Sequence, residues 1–506
     1  MCGILFSTEP IEEEKFKKAL RFLDRRGPDA VGYFAHKNFQ LGVTRLKIQD
    51  LSDDANMPFF SADGRYCTIF NGEVYNHKEL AKKYAIDTIT TSDTEVLLKL
   101  YILRGEKMLE ELNGMFAFVI YDRLTETYFI ARDRLGVKPL YSYKDKIFCS
   151  EIRPLLELTG DTEFDAFSIR QYLKLRGCFN GRTVYKNIRL FPAGSFSLNG
   201  MNKIWWKLEQ KYEHPPSDDE LYYLLSTSLI YRLIGDVPVG LYLSGGLDSS
   251  SLASMLTKIY TWSVSGGSHG WLYEKIHRTV GDESKYAYRV ASMFGHRHRH
   301  IKVEQRSFDY FADGLIDSHR IPIPVPNEIL LTAMSLEASR YNTVILSGEG
   351  SDELFHGYRL LAEQPELTVE TVSKKYIVGQ HDDPEVVEDA IAPYRGYGKN
   401  GISALFQLGH LQELLLKLDR ATMYYSIEGR VPFCDYRLVE RMFGVDPKWK
   451  YANGVIKAPL KRLFNHLPKE VLRRKKIGLP VALNKKKYKN TAGWLKYNVE
   501  RLCSWA

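Results

Sequence analysis

The sequence contains few cysteines, and they lie far apart. Six occur among the 506 residues, at Cys2, Cys67, Cys149, Cys178, Cys434 and Cys503. No two of them form the C-x-x-C pair that would suggest a zinc or redox centre. Free thiols suit a reducing compartment, so we expect a cytoplasmic protein.

The sequence also lacks long apolar runs and a large excess of one charge. No apolar stretch approaches the roughly 20 residues that cross a bilayer, and "TEPIEEEKFKK" near the start does not resemble a signal peptide. The 70 basic and 62 acidic residues leave a formal charge of +8, spread along the chain. We therefore expect no membrane and no nucleic acid as a partner.

The order of local patterns predicts two domains. Up to about residue 200, short strand-like stretches such as "QLGVTRL" and "FAFVIYD" predominate, with helical patterns around 11–24 and 93–104. Sheets packed face to face, with helices outside, fit this pattern. After "EHPPSDDE", amphipathic helices alternate with apolar strands, which indicates a parallel α/β sheet, and a largely helical end follows from about 405. We place the domains at 1–204 and 205–506.

A glycine-rich loop follows the first apolar strand of the second domain, in "LYLSGGLDSSSLASML". Its members are Ser244, Gly245, Gly246, Leu247, Asp248, Ser249 and Ser250. Two glycines let the backbone approach a ligand closely, and free amides with hydroxyls at a helix N-terminus favour phosphate. A serine-capped turn without a ligand is the alternative. All six positions of an S-G-G-x-D-S motif are present, which disfavours that alternative.

The S-G-G-x-D-S motif resembles the pyrophosphate loop of ATP pyrophosphatases, which cleave ATP to AMP and pyrophosphate. The resemblance implies an adenine nucleotide alpha hydrolase-like fold, with Asp248 holding magnesium against the phosphates. A second segment, "TVILSGEGSDELFHGY", places three carboxylates within residues 349–353. We expect it to form a second wall of one ATP site at the carboxyl ends of parallel strands. An acidic loop that caps a helix is the alternative.

The second residue, Cys2, would carry a free α-amine once the initiator methionine is removed. That amine has an unperturbed pKa near about 8, so it can take the thiol proton without a histidine. Considered alone, Cys2 is more simply explained as an incidental small apolar residue.

Motifs further along change this interpretation. After Cys-Gly-Ile come, in order, "RRGPDAVG", "TRLKIQD", "FNGEVYNHKEL", "TSDTEVLL" and "ARDRLGVKPLYSY". Together they resemble the class II glutamine amidotransferases. The resemblance covers the whole first domain and implies an α+β N-terminal-nucleophile hydrolase sandwich, layered αββα, in which Cys2 releases ammonia from glutamine.

The same resemblance implies a partner for each polar group of glutamine. The matching residues are Arg45, Leu46, Ile48, Asn71, Gly72, Glu73 and Asp93. Arg45 would clamp the α-carboxylate, and Glu73 with Asp93 would face the α-ammonium. Asn71 and the Gly72 N–H would form the oxyanion hole. A tight hairpin turn at Asn-Gly is an alternative that is compatible with this role.

Two positions depart from the family pattern. Arg25 and Val43 stand where class II amidotransferases commonly have histidines. Neither position belongs to the nucleophile, the clamp or the oxyanion hole. We therefore expect glutaminase activity, with altered packing around the glutamine pocket.

Both halves together resemble the glutamine-hydrolysing asparagine synthetase family. "DESKYA", "DRATMYYSIEGRVPFCDYRLVE" and "RRKKIGLP" extend the resemblance over most of the chain. It implies that ATP with magnesium adenylates a carboxylate, aspartate in the family, and that ammonia then displaces AMP to leave an amide. The residues that would contact ATP are Leu243, Ser244, Gly245, Gly246, Asp248, Ser249, Val264, Ser347, Gly348 and Lys457.

The resemblance also assigns roles within the ATP site. Asp248 and Asp352 would bind magnesium, and Glu349 would support formation of the acyl-adenylate. Lys457 in "NGVIKAPLKRLF" would lie near the pyrophosphate, with a solvated helix lysine as the alternative.

The acceptor is the least defined part of the prediction. "IDSHRIPIPVPNEILL" lacks the segments that usually shape the aspartate pocket, and His356 interrupts the usual Phe-Gly-Gly-Tyr. A sugar uronic acid or another small carboxylate is therefore an alternative acceptor. The S-G-G-x-D-S loop argues against a phosphoribosyl-pyrophosphate amidotransferase, and two complete sets of catalytic groups argue against an inactive regulatory remnant. A homodimer is common in the family, but the sequence reveals no interface.

Overall fold

The computed structural model describes residues 2–212, 214–266, 284–363, 365–376, 383–474, 481, 483, 487, 488 and 490–505. Parts of two motifs, 282–283 of "DESKYA" and 475–480 of "RRKKIGLP", lie outside the described residues. Within the described part of the chain, no helix has the length and apolarity that crossing a membrane would need.

Antiparallel strands in two sheets form the first half of the chain. The strands are β1 (Cys2–Ser7), β2 (Ala30–His36), β3 (Phe39–Arg45), β4 (Phe59–Phe60), β5 (Tyr66–Val74), β6 (Gly114–Asp122), β7 (Thr127–Arg132), β8 (Tyr141–Tyr143), β9 (Ile147–Cys149), β10 (Ile188–Leu190), β11 (Ser195–Leu198) and β12 (Met201–Ile204). One sheet has the order β10-β8-β9-β1-β3-β2, and the other has the order β12-β11-β7-β6-β5-β4. Central strands such as β6 are buried on both faces, which explains why "FAFVIYD" is almost continuously apolar.

The two sheets face each other across one apolar core. Ile4 and Val43 from the first sheet share it with Ile69 and Phe118 from the second. The helices of this half are α1 (Glu13–Leu20), α2 (His77–Lys83), α3 (Asp93–Arg104), α4 (Ile152–Thr159) and α5 (Ala166–Leu175), with 3₁₀ turns at Arg21–Leu23 and Gly105–Glu110. Helix α1 contacts β3 of one sheet, and α3 contacts β5 of the other. The helices predicted around 11–24 and 93–104 are confirmed.

A five-stranded parallel sheet organises the second half. Its strands are β13 (Val239–Tyr242), β14 (Tyr260–Gly266), β15 (Arg297–Val303), β16 (Val344–Leu346) and β17 (Glu428–Arg430). They lie in the order β15-β14-β13-β16-β17, and all neighbours are parallel. The strands that follow β13 in sequence, β14 and β15, lie on one side of it, and β16 lies on its other side. The strand order therefore reverses between β13 and β16, and a crevice opens at the carboxyl ends of these two strands. The predicted parallel sheet is confirmed, but β17 lies within the end that we expected to be helical.

Helices surround this sheet and form most of the last third of the chain. They are α6 (Asp218–Tyr231), α7 (Leu247–Ser254), α8 (Ser284–Met293), α9 (Gln305–His319), α10 (Asn327–Ala338), α11 (Ser351–Leu354), α12 (Arg359–Glu363), α13 (Val369–Tyr376), α14 (Pro384–Ile391), α15 (Gly401–Ala404), α16 (Leu411–Met423), α17 (Tyr436–Met442), α18 (Pro447–Lys450), α19 (Ala458–Leu463), α20 (Lys469–Arg473) and α21 (Thr491–Cys503). Other helical turns occupy Ala392–Asn400, Leu405–His410 and Pro432–Cys434. Helix α6 begins at Asp218, within the "EHPPSDDE" segment that we expected to precede the helices, because the Ser217 hydroxyl accepts a hydrogen bond from the Glu220 N–H at 3.1 Å.

A buried ion pair joins the two halves. Arg26, which is 1% exposed, places a guanidinium nitrogen 2.8 Å from a carboxylate oxygen of Asp419, which is 3% exposed. The same guanidinium donates from Nε to the Cys2 carbonyl at 3.1 Å and approaches Glu151 at 3.3 Å. Charges so far from water need partners on every side. The pair therefore fixes how helix α16 meets the start of β1.

Replacing Asp419 by alanine should destabilise the protein strongly. Asp419→Ala leaves Arg26 buried without its closest counter-charge, and removal of one partner from a buried pair costs about 3–5 kcal/mol. Urea unfolding followed by tryptophan fluorescence measures this loss. Glu385→Ala is the control, because Glu385 pairs with Arg170 across the same two halves but is exposed, so its midpoint should not move. Equal midpoints for both variants would show that Arg26–Asp419 does not stabilise the interface.

Candidate active sites

Cys2 lies at the start of β1, opposite Arg45 of β3. The Cys2 side chain is buried, and its backbone N–H donates to Asn71 Oδ1 at 3.2 Å. Burial raises the pKa of the Cys2 thiol, whereas the positive N-terminal charge, a hydrogen bond from the Leu46 N–H and the charge of Arg45 act in the opposite direction. The thiol therefore needs a nearby base to become a nucleophile.

Asn71 and Gly72 lie within β5, opposite Ala117 and Phe116 of β6. The interpretation of Asn-Gly as a hairpin turn is therefore wrong, because the strand continues to Val74 before it turns into α2. Gly72 has a φ of 151°, and a Cβ there would lie 2.0 Å from the Met115 carbonyl oxygen, so only glycine fits. Among the described residues, the buried Asn71 Nδ2 has no hydrogen-bond partner. A donor is thus available beside the residue that carries the thiol.

Two buried carboxyl groups stand close to this strand. The Gln49 amide donates to Glu73, and the Arg430 guanidinium lies 3.4 Å from the other Glu73 oxygen. Burial, with the charge of Glu428, raises the pKa of Glu73 to about 8. Asp93, the first residue of α3, accepts from the Val74 N–H at 2.7 Å, and burial raises its pKa too. An arriving cation would be stabilised here, because it would return both groups to their ionised forms.

Arg45 is buried and holds the loop that follows its own strand. It donates to the Ser52 carbonyl and to Asn56 Oδ1, each at 2.8 Å, and to the Gln49 and Asp50 carbonyls. These contacts place Arg45 in the wall of the Cys2 site. Its predicted contact with a substrate carboxylate stays a prediction.

Leu46 and Ile48 have a second role that the sequence does not reveal. Both are buried in a small apolar cluster with Val344 of β16 and Met423 of α16. The backbone N–H of Leu46 faces the Cys2 thiol, while its side chain packs on the other half of the chain. This segment therefore connects the Cys2 site directly to the parallel sheet.

The second site is a cavity of about 320 Å³ at the carboxyl ends of β13 and β16. Predicted residues that line it are Leu243, Ser244, Gly246, Asp248, Ser249, Val264, Ser347, Gly348, Glu349, Asp352 and Lys457. Gly245 lies outside the lining. It has a φ of 72°, and a Cβ there would be 2.6 Å from the Ala287 N atom of α8. Its glycine therefore lets the loop pass a neighbouring helix.

Lys457 lies between two carboxylates of this cavity. Its Nζ is 2.5 Å from Asp248 Oδ1 and 2.6 Å from Asp352 Oδ1. Burial alone would lower the pKa of Lys457, but the two carboxylates outweigh it and raise the pKa above its usual value. The lysine is 3% exposed, so the solvated-lysine alternative is wrong. Because one ammonium reaches both carboxylates, their oxygens converge closely enough to suit a hard cation such as Mg²⁺.

Several lining residues were missed from the sequence. Lys417 in α16 places its Nζ 2.7 Å from Glu349, and Lys461 and Arg474 also line the cavity. Arg474 belongs to "RRKKIGLP", so a signal existed, but no role was assigned to it. Lys417 carries no comparable signal, because a lone lysine in an amphipathic helix is most simply placed on its solvent face.

His356 lies behind the cavity and does not line it. It has a φ of 55°, and its buried ring lies 3.4 Å from the Ser403 hydroxyl. Burial lowers the pKa of His356, so the ring is neutral at pH 7. The next residue is Gly357, where a Cβ would be 1.7 Å from Asp352 Oδ1. Gly357, which the chain keeps from Phe-Gly-Gly-Tyr, is therefore the residue that leaves room for Asp352.

A larger cavity of about 760 Å³ lies between the two halves. Its walls include Arg189, Trp206, Tyr394 and Glu413. It contains none of the residues that the sequence predicts for either site. The predicted residues lie instead in the Cys2 site and around the cavity at β13 and β16.

Comparison with known proteins agrees with this division of the chain. Residues 1–212 match the family of glutamine amidotransferase domains, and residues 220–504 match the asparagine synthase family. Asparagine synthetase (glutamine-hydrolyzing) 1 of Bacillus subtilis is 28% identical, over 96% of this chain and 87% of its own length. Asparagine synthetase B (glutamine-hydrolyzing) of Escherichia coli is 29% identical over 94% and 81%. A putative asparagine synthetase of Methanocaldococcus jannaschii is 32% identical over 71% and 76%. The chain therefore belongs to the asparagine synthase family and carries a glutamine amidotransferase domain ahead of the synthase domain.

Proposed function

We propose that this protein is a glutamine-dependent asparagine synthetase. A thiol site with a free amide donor and an ATP-type cavity with two convergent aspartates occur in one chain that matches both families. This pairing is the observation that carries the proposal. We propose domains at 1–204 and 205–506, the first an αββα N-terminal-nucleophile hydrolase sandwich and the second an adenine nucleotide alpha hydrolase-like domain.

In the first domain, the Cys2 thiol attacks the side-chain amide carbon of glutamine. Because burial raises the pKa of the thiol, the α-amine that methionine removal frees takes its proton and later passes a proton to the leaving ammonia. Asn71 Nδ2 and the Gly72 N–H stabilise the oxyanion. Water then hydrolyses the thioester to glutamate.

The charged groups of glutamine are bound by residues around this thiol. Arg45 binds the α-carboxylate, and Glu73 with Asp93 binds the α-ammonium. The Leu46 and Ile48 segment closes the pocket against the second domain, where both side chains are buried. The ammonium also lowers the raised pKa values of the two carboxyl groups.

In the second domain, the loop at Ser244–Ser249 and the loop at Ser347–Gly348 bind ATP, with Leu243 and Val264 beside the nucleoside. The acceptor carboxylate attacks the α-phosphorus, and pyrophosphate leaves. Asp248 and Asp352 would hold Mg²⁺, which when bound balances the charge of the phosphates. Lys457 stabilises the departing pyrophosphate. Glu349, fixed by its 2.7 Å contact with Lys417, stands beside the acyl-adenylate.

We propose aspartate as the acceptor. The relatives that match most of the chain are named asparagine synthetases, which favours aspartate over a uronic acid. A cytoplasmic location rests on the six free cysteines, and a homodimer rests on the family resemblance alone.

Changing Cys2 to alanine should separate the two nitrogen sources. Cys2→Ala removes the nucleophile, so asparagine formation from glutamine should be lost while formation from ammonium continues. Amide production with each donor is the measurement. Cys67→Ala, which removes another buried thiol of the same core, should keep both activities. Equal loss of both activities in Cys2→Ala would contradict the assignment.

Changing Asn71 to aspartate should remove the oxyanion donor while the acceptor for the Cys2 N–H is kept. Loss of such a donor lowers kcat about 10²- to 10³-fold, so glutaminase kcat should fall by this factor with ammonium-dependent synthesis unchanged. Asn76→Asp, at the end of the same "NGEVYN" segment, is the control. A change in the KM for glutamine with kcat intact would indicate ground-state binding instead.

An acceptor screen tests the second domain. With ATP, Mg²⁺ and ammonium fixed, aspartate should release pyrophosphate and AMP, and uronic acids should not. Pyrophosphate release and nucleotide chromatography measure the outcome. ADP with phosphate would exclude adenylation, and release with a uronic acid but not with aspartate would replace the acceptor.

A further inference from the structure

The ion triad of Lys457, Asp248 and Asp352 joins three separate segments. Asp248 lies in the first turn of α7, Asp352 in the first turn of α11, and Lys457 directly before α19. The two carboxylates approach each other although like charges repel, because the lysine Nζ lies within 2.6 Å of an oxygen on each. The Ser351 hydroxyl donates to Asp248 at 2.7 Å as well. The Lys457 ammonium is thus the cation that holds Asp248 and Asp352 close together.

The fold constrains the backbone of Lys457 closely. Lys457 has a φ of 53°, a left-handed conformation that non-glycine residues avoid. Gly357 leaves room for its stem, because a Cβ at 357 would be 2.4 Å from Lys457 Cε. The side chain is buried but lines the ATP-type cavity. A flexible four-carbon stem therefore ends in a charge that can move between the aspartates and the cavity.

A metal ion and this ammonium would need the same space. Mg²⁺ binds carboxylate oxygens at about 2.0–2.1 Å, and the Lys457 Nζ is already 2.5 Å from Asp248 Oδ1 and 2.6 Å from Asp352 Oδ1. Two cations at such separations in a partly buried site would repel strongly. Asp248 and Asp352 can therefore bind the metal with both carboxylates only when the Lys457 ammonium has moved away.

We propose that Lys457 is an internal counter-cation that competes with Mg²⁺ for Asp248 and Asp352. ATP relieves the competition, because its phosphates offer the displaced ammonium a new partner. The metal then binds tightly only together with the nucleotide, and its arrival moves Lys457 toward the phosphates. This inference rests on the proposed function, since it assumes that the aspartates hold the metal.

The test is a Mg²⁺ titration of the full chain followed by its thermal unfolding temperature. Lys457→Met keeps the length of the stem and removes the charge. Without ATP, this variant should unfold at a lower temperature than the unmodified chain in EDTA, and MgCl₂ should raise its unfolding temperature again. The MgCl₂ concentration that gives half of the maximal rise should be at least about tenfold lower for the variant than for the unmodified chain, because one like charge at contact distance has gone. A parallel titration with KCl at matched ionic strength measures how much of the change comes from screening of charges by salt.

Two further variants serve as controls. Lys461→Met removes a lysine that lines the same cavity without a contact to either aspartate, so its titration should match the unmodified chain. Lys457→Arg keeps the charge and should need at least as much Mg²⁺ as the unmodified chain. If Lys457→Met fails to fold, Lys457→Gln replaces it, with the same tenfold shift expected.

The outcomes separate this inference from the proposed function. If Mg²⁺ with ATP stabilises every variant, but Lys457→Met and the unmodified chain respond equally to Mg²⁺ alone, the competition is wrong and the metal site stands. If Mg²⁺ stabilises no variant with or without ATP, the proposed metal site fails, and this inference fails with it.

Discussion

The contact on which the rest of the structure depends is the buried ion pair between Arg26 and Asp419. Its members are 393 residues apart in sequence, and both are buried, with Glu151 3.3 Å from Arg26 and Lys138 3.7 Å from Asp419 as further partners. Arg26 also holds the Cys2 carbonyl, and Asp419 lies on α16, which two residues earlier carries Lys417 with its contact to Glu349. One helix therefore connects, through Arg26 and Lys417, the backbone of Cys2 with the wall of the ATP-type cavity.

A second connection between the two sites runs through Arg430 of β17. The Arg430 carbonyl accepts from the Ser347 N–H at 2.8 Å, at the start of the acidic loop. Its guanidinium lies 3.4 Å from Glu73 in the Cys2 site and pairs with Glu428. Beside it, Leu46 packs on Val344 of the neighbouring strand. The segment that follows β3 therefore packs directly on the parallel sheet.

Local signals predicted the parts of the structure that depend on neighbouring residues. The strand Val239–Tyr242, the glycine loop after it and the helix Leu247–Ser254 were predicted because each step is encoded within a few residues. The alternative of a turn at Asn71 and Gly72 rests on the preference of that dipeptide, but pairing with β6 overrides the preference. The burial of Lys457 and the partners of Arg26 were not predictable, since both depend on residues that are distant in sequence.

Buried charge also affects the protonation of Glu73 beside the Cys2 site. Burial and the charge of Glu428 raise the pKa of Glu73 to about 8, and Arg430 opposes this shift. Burial therefore favours the protonated form of this carboxyl group. Under the proposed function, the α-ammonium of glutamine would favour the ionised form instead. A simple amide carries no ammonium group, so the proposed site would favour an amino acid over a simple amide.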